Sequence, residues 1–293
     1  MTEPHAIGAR AGSPDSLAVV LDGLTFPEGP RWHRGELYFS DFFTHRVIAM
    51  EPGGRTRTVC EVAQQPSGLG WLPDGRLLVV SMLDRRLLRL DSGGLALHAD
   101  LSALAHSHCN DMVVGPDGRA WVGNFGFDHR LAEDPRTTCV VRVDPDGRAE
   151  VAADDLFFPN GSAIPPDRRT LIVAETWGRR LTAFDIEDDG RLVRRRCWAD
   201  LAPIVPDGIC LDAEGAAWVA APPQRQVLRV LEGGEVTHRI STGERGAFAC
   251  ALGGEDRRTL YVCTATVTGQ AAAEARTGRI ESFRVEVPGA GWP

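Results

Sequence analysis

Apolar residues along the chain fall in short runs separated by turn-forming residues. Leu37-Tyr38-Phe39, Leu77 to Val80, Ala120-Trp121-Val122, Leu171-Ile172-Val173, Ala217-Trp218-Val219 and Leu260-Tyr261-Val262 each follow a turn signal. A further run then comes in most cases, as in Arg46-Val47-Ile48-Ala49 or Val227-Leu228-Arg229-Val230. Runs this short, rich in β-branched and aromatic residues, predict strands and not helices.

The pattern repeats. Six segments open at Glu28, Ser67, Asn110, Asn160, Asp207 and Ala249, spaced by 39 to 50 residues. Four begin as Pro-x-Gly: Pro27-Glu28-Gly29, Pro66-Ser67-Gly68, Pro159-Asn160-Gly161 and Pro206-Asp207-Gly208. Seven residues after the opening, five of the six carry an acid, followed by Gly75, Gly118 or Gly215, or by Arg168 or Arg257. Four short antiparallel strands per repeat of this length predict a propeller blade, so the expected fold is all-β, a six-bladed β-propeller with repeats over residues 23–287. Leu17 to Leu21 precedes the first repeat and is expected to close the ring by pairing into the last blade, because an open ring leaves sheet edges exposed. Residues 1–16 are expected to be irregular and 17–293 to form one domain.

Composition agrees with this picture and removes several functions. The chain has 293 residues, with 32 Gly and 19 Pro, too many for long helices. A formal charge of -8 offers no footprint for a phosphate backbone or an anionic lipid surface, so neither nucleic acid nor membrane is an expected partner. No apolar run approaches the ~18 residues of a membrane span, and the N-terminus lacks the apolar stretch of a signal peptide. A cytoplasmic protein is expected. The seven cysteines are irregularly spaced, without a CxxC pair, and most read as small buried hydrophobes in a reducing compartment.

In a propeller the first strand of each blade lines the central channel, so the six opening residues ring one mouth. Glu28, Asn110, Asn160 and Asp207 bring four oxygen-bearing side chains, two of them acids, into a small space. Like carboxylates a few ångströms apart repel, and a hard divalent cation relieves this. The donor types suit Ca2+ and are compatible with Mg2+ or Mn2+. Antiparallel pairing returns the second strands to the same mouth. The expected rim is therefore near Asp41, Met82, Asn124, Phe125, Glu175, Thr176, Trp177, Pro222 and Thr264, with the loop Asn124 to Cys139 as a candidate lid.

Other chemistries find little support. His106 and His108 form a His-Ser-His pair with neither Cys nor a third His to complete a zinc site; His108 reads as a polar wall of the pocket. No G-x-S-x-G elbow, G-x-G-x-x-G turn or Walker sequence occurs, which removes serine-hydrolase chemistry and nucleotide cofactors.

Phe26-Pro27-Glu28-Gly29-Pro30-Arg31-Trp32, Asn110-Asp111 before Pro116-Asp117-Gly118, Phe158-Pro159-Asn160-Gly161 and Pro206-Asp207-Gly208 occur in order and in register. The chain thereby resembles the SMP-30/gluconolactonase/luciferin-regenerating-enzyme family over nearly its whole length. The resemblance implies one divalent metal, most often Ca2+ with Mn2+, Zn2+ or Mg2+ as alternatives, held at Glu28, Asn160 and Asp207. It implies that Asn110 contacts the metal or the substrate, and that Asp207 is also the general base of lactone hydrolysis. His108 stands where sugar-lactonase members commonly carry an Arg, and Met112 where they carry a Gly. An Arg there would hold a polyhydroxylated substrate, so this departure points away from an aldonolactone. The expected activity is hydrolysis of a small cyclic ester with the metal as Lewis acid, with Asn110 and Asp207 catalytic and His108, Asn124, Phe125, Glu175 and Trp177 contacting substrate. Two alternatives are an organophosphate-type hydrolase at the same metal and a non-catalytic interaction platform with a structural metal.

Overall fold

Four of the six repeat turns are built by the acid the sequence supplies there. Asp74, Asp117, Asp167 and Asp256 accept, through Oδ1, the amide two residues ahead at 2.9–3.1 Å. The residue between must be left-handed, which Gly75 and Gly118 adopt freely at φ +88 and +85. Arg168 and Arg257 take the same conformation at φ +61 and +56. Strands on either side are thereby folded back on one another every few residues.

The computed structural model describes residues 17–128 and 131–291; the N-terminal segment expected to be irregular, 1–16, lies outside them. β1 (Ala18–Leu24) comes first. Blade one is β2 (Pro27–His33), β3 (Glu36–Asp41), β4 (Arg46–Met50) and β5 (Thr56–Glu61). Blade two is β6 (Pro66–Trp71), β7 (Leu77–Ser81), β8 (Arg86–Asp91) and β9 (Gly94–Asp100). Blade three is β10 (Cys109–Val114), β11 (Ala120–Asn124), β12 (Thr138–Val143) and β13 (Ala149–Leu156). Blade four is β14 (Pro159–Ala163), β15 (Thr170–Glu175), β16 (Arg180–Ile186) and β17 (Leu192–Asp200). Blade five is β18 (Ile209–Leu211), β19 (Ala217–Ala221), β20 (Gln226–Val230) and β21 (Val236–Ser241). Blade six is β22 (Gly246–Gly253), β23 (Thr259–Ala265) and β24 (Gly278–Arg284), completed by β1. The β1–β24 register runs from Ala18 opposite Ser282 to Leu24 opposite Gly278, so the expected closing strand is present.

Innermost strands β2, β6, β10, β14, β18 and β22 pack each on the next and the last on the first, giving the six-bladed ring. Apolar packing follows the same symmetry: each blade-to-blade interface holds its own buried cluster. Leu78, Val80, Met112 and Val122 join blades two and three, and Phe39, Ile48, Tyr261 and Ile280 join six and one. Stability is thus a chain of nearest-neighbour interfaces. Among the described residues the helical elements are one short α-helix, Ala272–Ala275, and isolated 3-10 turns, and no helix is long and apolar enough to cross a membrane.

The glycine that follows four of the six ring positions has a steric reason. A Cβ on Gly68 would lie 2.4 Å from the Met112 nitrogen, and one on Gly161 would lie 2.5 Å from the Ile209 nitrogen. Neighbouring inner strands approach backbone to backbone here, which leaves the preceding side chain to project toward the axis.

Candidate active site

Glu28, Asn110, Asn160 and Asp207, from four different blades, all line one cavity of about 580 Å3 at one mouth of the channel. Ser67 extends the ring by donating its hydroxyl to Asn110 Oδ1 at 3.4 Å. Asn110 Nδ2 donates to Asn160 Oδ1 at 2.9 Å, and Asn160 Nδ2 donates to Thr176 Oγ1 at 3.1 Å. The Asn160 side chain lies beside Asp207 and opposes the rise in its pKa. Each carboxamide oxygen has a second lone pair beyond the bond it accepts.

Two acids here are held away from their ordinary behaviour. Burial pushes the Glu28 carboxyl up to about 8; the Asp111 charge adds to the rise, while the Gly29 amide, donating to Glu28 Oε2 at 2.9 Å, and Arg31 oppose it. Burial also raises Asp207 well above its ordinary value, with the charges of Glu28 and Asp111 reinforcing it and the Asn160 side chain opposing it.

Below them lies a buried ion pair that sequence reasoning missed. Arg31 Nη2 meets Asp111 Oδ1 at 2.8 Å and also donates to the Met112 carbonyl at 2.6 Å. Asp111 occupies the place after the ring residue that glycine holds in four other repeats, and that substitution is the signal that was available. Further along the same inner strands, Arg31, Ser162, Ile209 and Cys250 line a separate cavity of about 610 Å3 at the opposite mouth. That chamber is slightly larger but has no converging acids on its inner strands.

Three carboxyl groups, on Glu28, Asp111 and Asp207, therefore face a single guanidinium, that of Arg31. Two negative charges remain uncompensated when all are ionised. A divalent cation fits this deficit, and two carboxylates with two carboxamides are hard oxygen donors of the kind Ca2+ takes. Among the described residues no three His, Cys, Asp or Glu side chains converge as a metal-holding group, and the His106/His108 pair does not assemble: His106 is exposed whereas His108 is buried in the cavity wall.

Of the expected substrate contacts, His108, Phe125 and Trp177 line the cavity. His108 Nε2 lies 3.5 Å from Asp128 Oδ2. Asn124 and Glu175 do not line it, because loop backbone and neighbouring side chains consume their polar atoms. Asn124 accepts from the Gly126 amide and the Thr138 hydroxyl and donates to the Cys139 carbonyl. Glu175 accepts from the Phe157 amide at 2.8 Å, from Arg180 at 2.8 and 3.0 Å and from the Thr182 hydroxyl. Asp41 is similarly spent on the Thr25 and Phe26 amides at 2.9 Å, tying the segment between β1 and β2. These residues hold the connections between blades. Of the candidate lid, Phe125 and Phe127 reach the cavity, residues 131–137 are exposed, and 129–130 lie outside the described residues.

The rest of the wall is aromatic. Phe26 packs on Phe42 at 5.4 Å and on Phe248 at 4.6 Å between ring centroids. Phe158 packs on Phe125 at 4.5 Å and Phe127 at 5.9 Å, and Trp177 adjoins Phe127 at 6.3 Å. A fixed offset from the ring residues, just ahead of four of the inner strands, is the signal for part of this wall. Phe26, Gln65, His108 and Phe158 each stand two residues before a ring residue, and all four line the cavity.

A six-bladed ring with one polar, acid-bearing centre at a single mouth defines the class. The chain belongs to the SMP-30/gluconolactonase/LRE-like family, whose conserved region matches residues 26–266. It is 29% identical over 287 residues to a 6-deoxy-6-sulfogluconolactonase of Pseudomonas putida, covering 94% of this chain and 96% of that one. It is 27% identical to the pentonolactonase XacC of Haloferax volcanii, covering 94% and 95%. A luciferin-regenerating enzyme shares the fold with a TM-score of 0.79 at 20% identity, covering 92% of this chain and 94% of that one.

Proposed function

We propose that this chain is a lactone hydrolase whose ring holds one divalent cation, most favourably Ca2+, on Glu28, Asn160 and Asp207 with Asn110 beside them. The observation that carries the reading is the convergence of two buried carboxyl groups and two carboxamides from four blades on one cavity, together with family relatives named as lactonases. When bound, the cation would supply a Lewis acid for the ester carbonyl. Burial holds protons on Glu28 and Asp207, so to serve as ligands both would have to release them, and the charge of the bound cation would drive that release. Asp207 then accepts a proton from the attacking water, and the same proton is returned to the ring oxygen as the C–O bond breaks, so that lactone and water become one hydroxy acid. Asn110 and Asn160 fix the geometry through their mutual hydrogen bond. His108 lines the same wall and would contact the bound ester there.

The test is a panel of γ- and δ-lactones, with a paraoxon-like phosphotriester as control. It uses EDTA-stripped protein with add-back of Ca2+, Mn2+, Mg2+ and Zn2+, and calorimetry of each ion in parallel. Lactone turnover restored by an added ion, and reduced by about 10^2-fold or more in Asp207→Asn, is the expected result. Ion binding without turnover of any lactone would reduce the site to a structural centre. Turnover of the phosphotriester alone would reassign the substrate.

A further inference from the structure

We infer that the lactone taken by this site carries a flat apolar substituent, an aryl or comparable hydrocarbon group, and is not a sugar lactone; this rests on the lactonase reading above.

Seven of the chain's eleven phenylalanines line this one cavity, and Trp177 joins them. Their distribution is not uniform around the axis. Phe26, Phe42 and Phe43 come from blade one and Phe248 from blade six, whereas Phe125 and Phe127 come from blade three and Phe158 and Trp177 from blade four. In a ring of six, blade one is opposite four and blade six is opposite three. Two aromatic walls therefore confront each other across the axis, with the acids and carboxamides at the base. Such a slot accepts a planar apolar group between the walls while the ester reaches the polar centre.

A polyhydroxylated ring is poorly served by the same space. Phenylalanine offers no donor or acceptor, and a buried hydroxyl left unpaired is costly. Beyond the ring residues the described polar lining is only His108, Gln65, Thr176, Thr268 and Gln270, set among eight aromatic side chains; His108 faces Asp128 at 3.5 Å and Thr176 Oγ1 already accepts from Asn160 Nδ2. Among the described residues no Arg lines the cavity, and the chain contains no lysine, so an anionic tail also lacks a described counter-charge. Trp177 is 51% exposed at the edge of its wall, an uncommon place for so large an apolar surface unless a ligand covers it.

The experiment compares three δ-lactones on the Ca2+-loaded protein: 6-phenyl-tetrahydropyran-2-one, unsubstituted δ-valerolactone and glucono-1,5-lactone. The corresponding non-hydrolysable lactams are titrated by calorimetry. The expected order of kcat/KM places the phenyl compound about tenfold or more above δ-valerolactone, with the sugar lactone lowest. Trp177→Ala, a substitution at an exposed position that leaves the core intact, is expected to lower the phenyl-to-unsubstituted ratio about tenfold, chiefly through KM. Preference for glucono-1,5-lactone, or an unchanged ratio in Trp177→Ala, would overturn the inference and leave the lactonase reading standing. If no lactone turned over but the phenyl lactam bound and the sugar lactam did not, the lactonase reading would fall while the apolar slot survived. If neither lactam bound and no lactone turned over, both would fall.

Discussion

Arg31 and Asp111, eighty residues apart in the chain, meet at 2.8 Å beneath Glu28 and Asp207. Both side chains are buried, so removing one partner strands the other. Arg31→Met is expected to destabilise the fold by about 3–5 kcal/mol in urea titrations, and the double change Arg31→Met with Asp111→Leu to recover most of that loss. A single variant as stable as the parent would show that the pair does not hold the channel.

Acidity at Glu28 links stability to pH. The folded protein holds this carboxyl up near 8 against an ordinary 4.5, so the folded state binds the extra proton. In EDTA that contribution is complete below about pH 4.5 and is lost as pH rises through about 8. Melting temperatures of the metal-free protein should therefore fall across this window, with a smaller slope in Glu28→Gln. The rise in Tm produced by Ca2+ should grow over the same window, because binding expels the proton. Equal slopes in parent and Glu28→Gln would contradict the assignment.

Glu175 separates scaffold from chemistry. Its carboxylate is fully buried beneath Arg180 and Arg195, both partly solvated. Glu175→Ala is expected to cost about 1–3 kcal/mol of stability, while kcat of the folded enzyme at a permissive temperature changes less than about twofold. A large fall in kcat with unchanged stability would return this residue to the reaction.

Close approach of the inner strands makes the ring glycines sensitive. A Cβ on Gly161 would meet the Ile209 nitrogen at 2.5 Å and the Asp207 carbonyl oxygen at 2.7 Å. Gly161→Ala should cost about 1–3 kcal/mol and weaken Ca2+ binding in calorimetry, because the strands carrying Asn160 and Asp207 are forced apart. Unaltered ion affinity would mean that the ring tolerates spreading.

The sequence revealed whatever is repeated. Spacing of the repeat openings, four of them Pro-x-Gly, placed six blades, and the variable residue before the glycine marked Glu28, Asn160 and Asp207 as residues facing one axis. Residues that break the repeat were harder to read. Asp41, Asn124 and Glu175 lie at the ends of second strands, where strand geometry fixes the height of a side chain but not whether it turns inward. Unpaired amides in the neighbouring connections captured them, since a buried amide without a partner is costly. Phe42, Phe43 and Phe248 were missed because they come from connections and from a position outside the fixed offset. Arg31 and Asp111 were missed because their partnership spans two blades.

Blade six draws one strand from residues 18–24 and the other three from residues 246–284. During translation the leading strand must wait, unpaired along its β24 edge, until the trailing segment has left the ribosome. The acids contributed by blades one and five cannot be locked into a common ring before then. The ring that carries the centre is therefore closed only by the last residues of the propeller to be made.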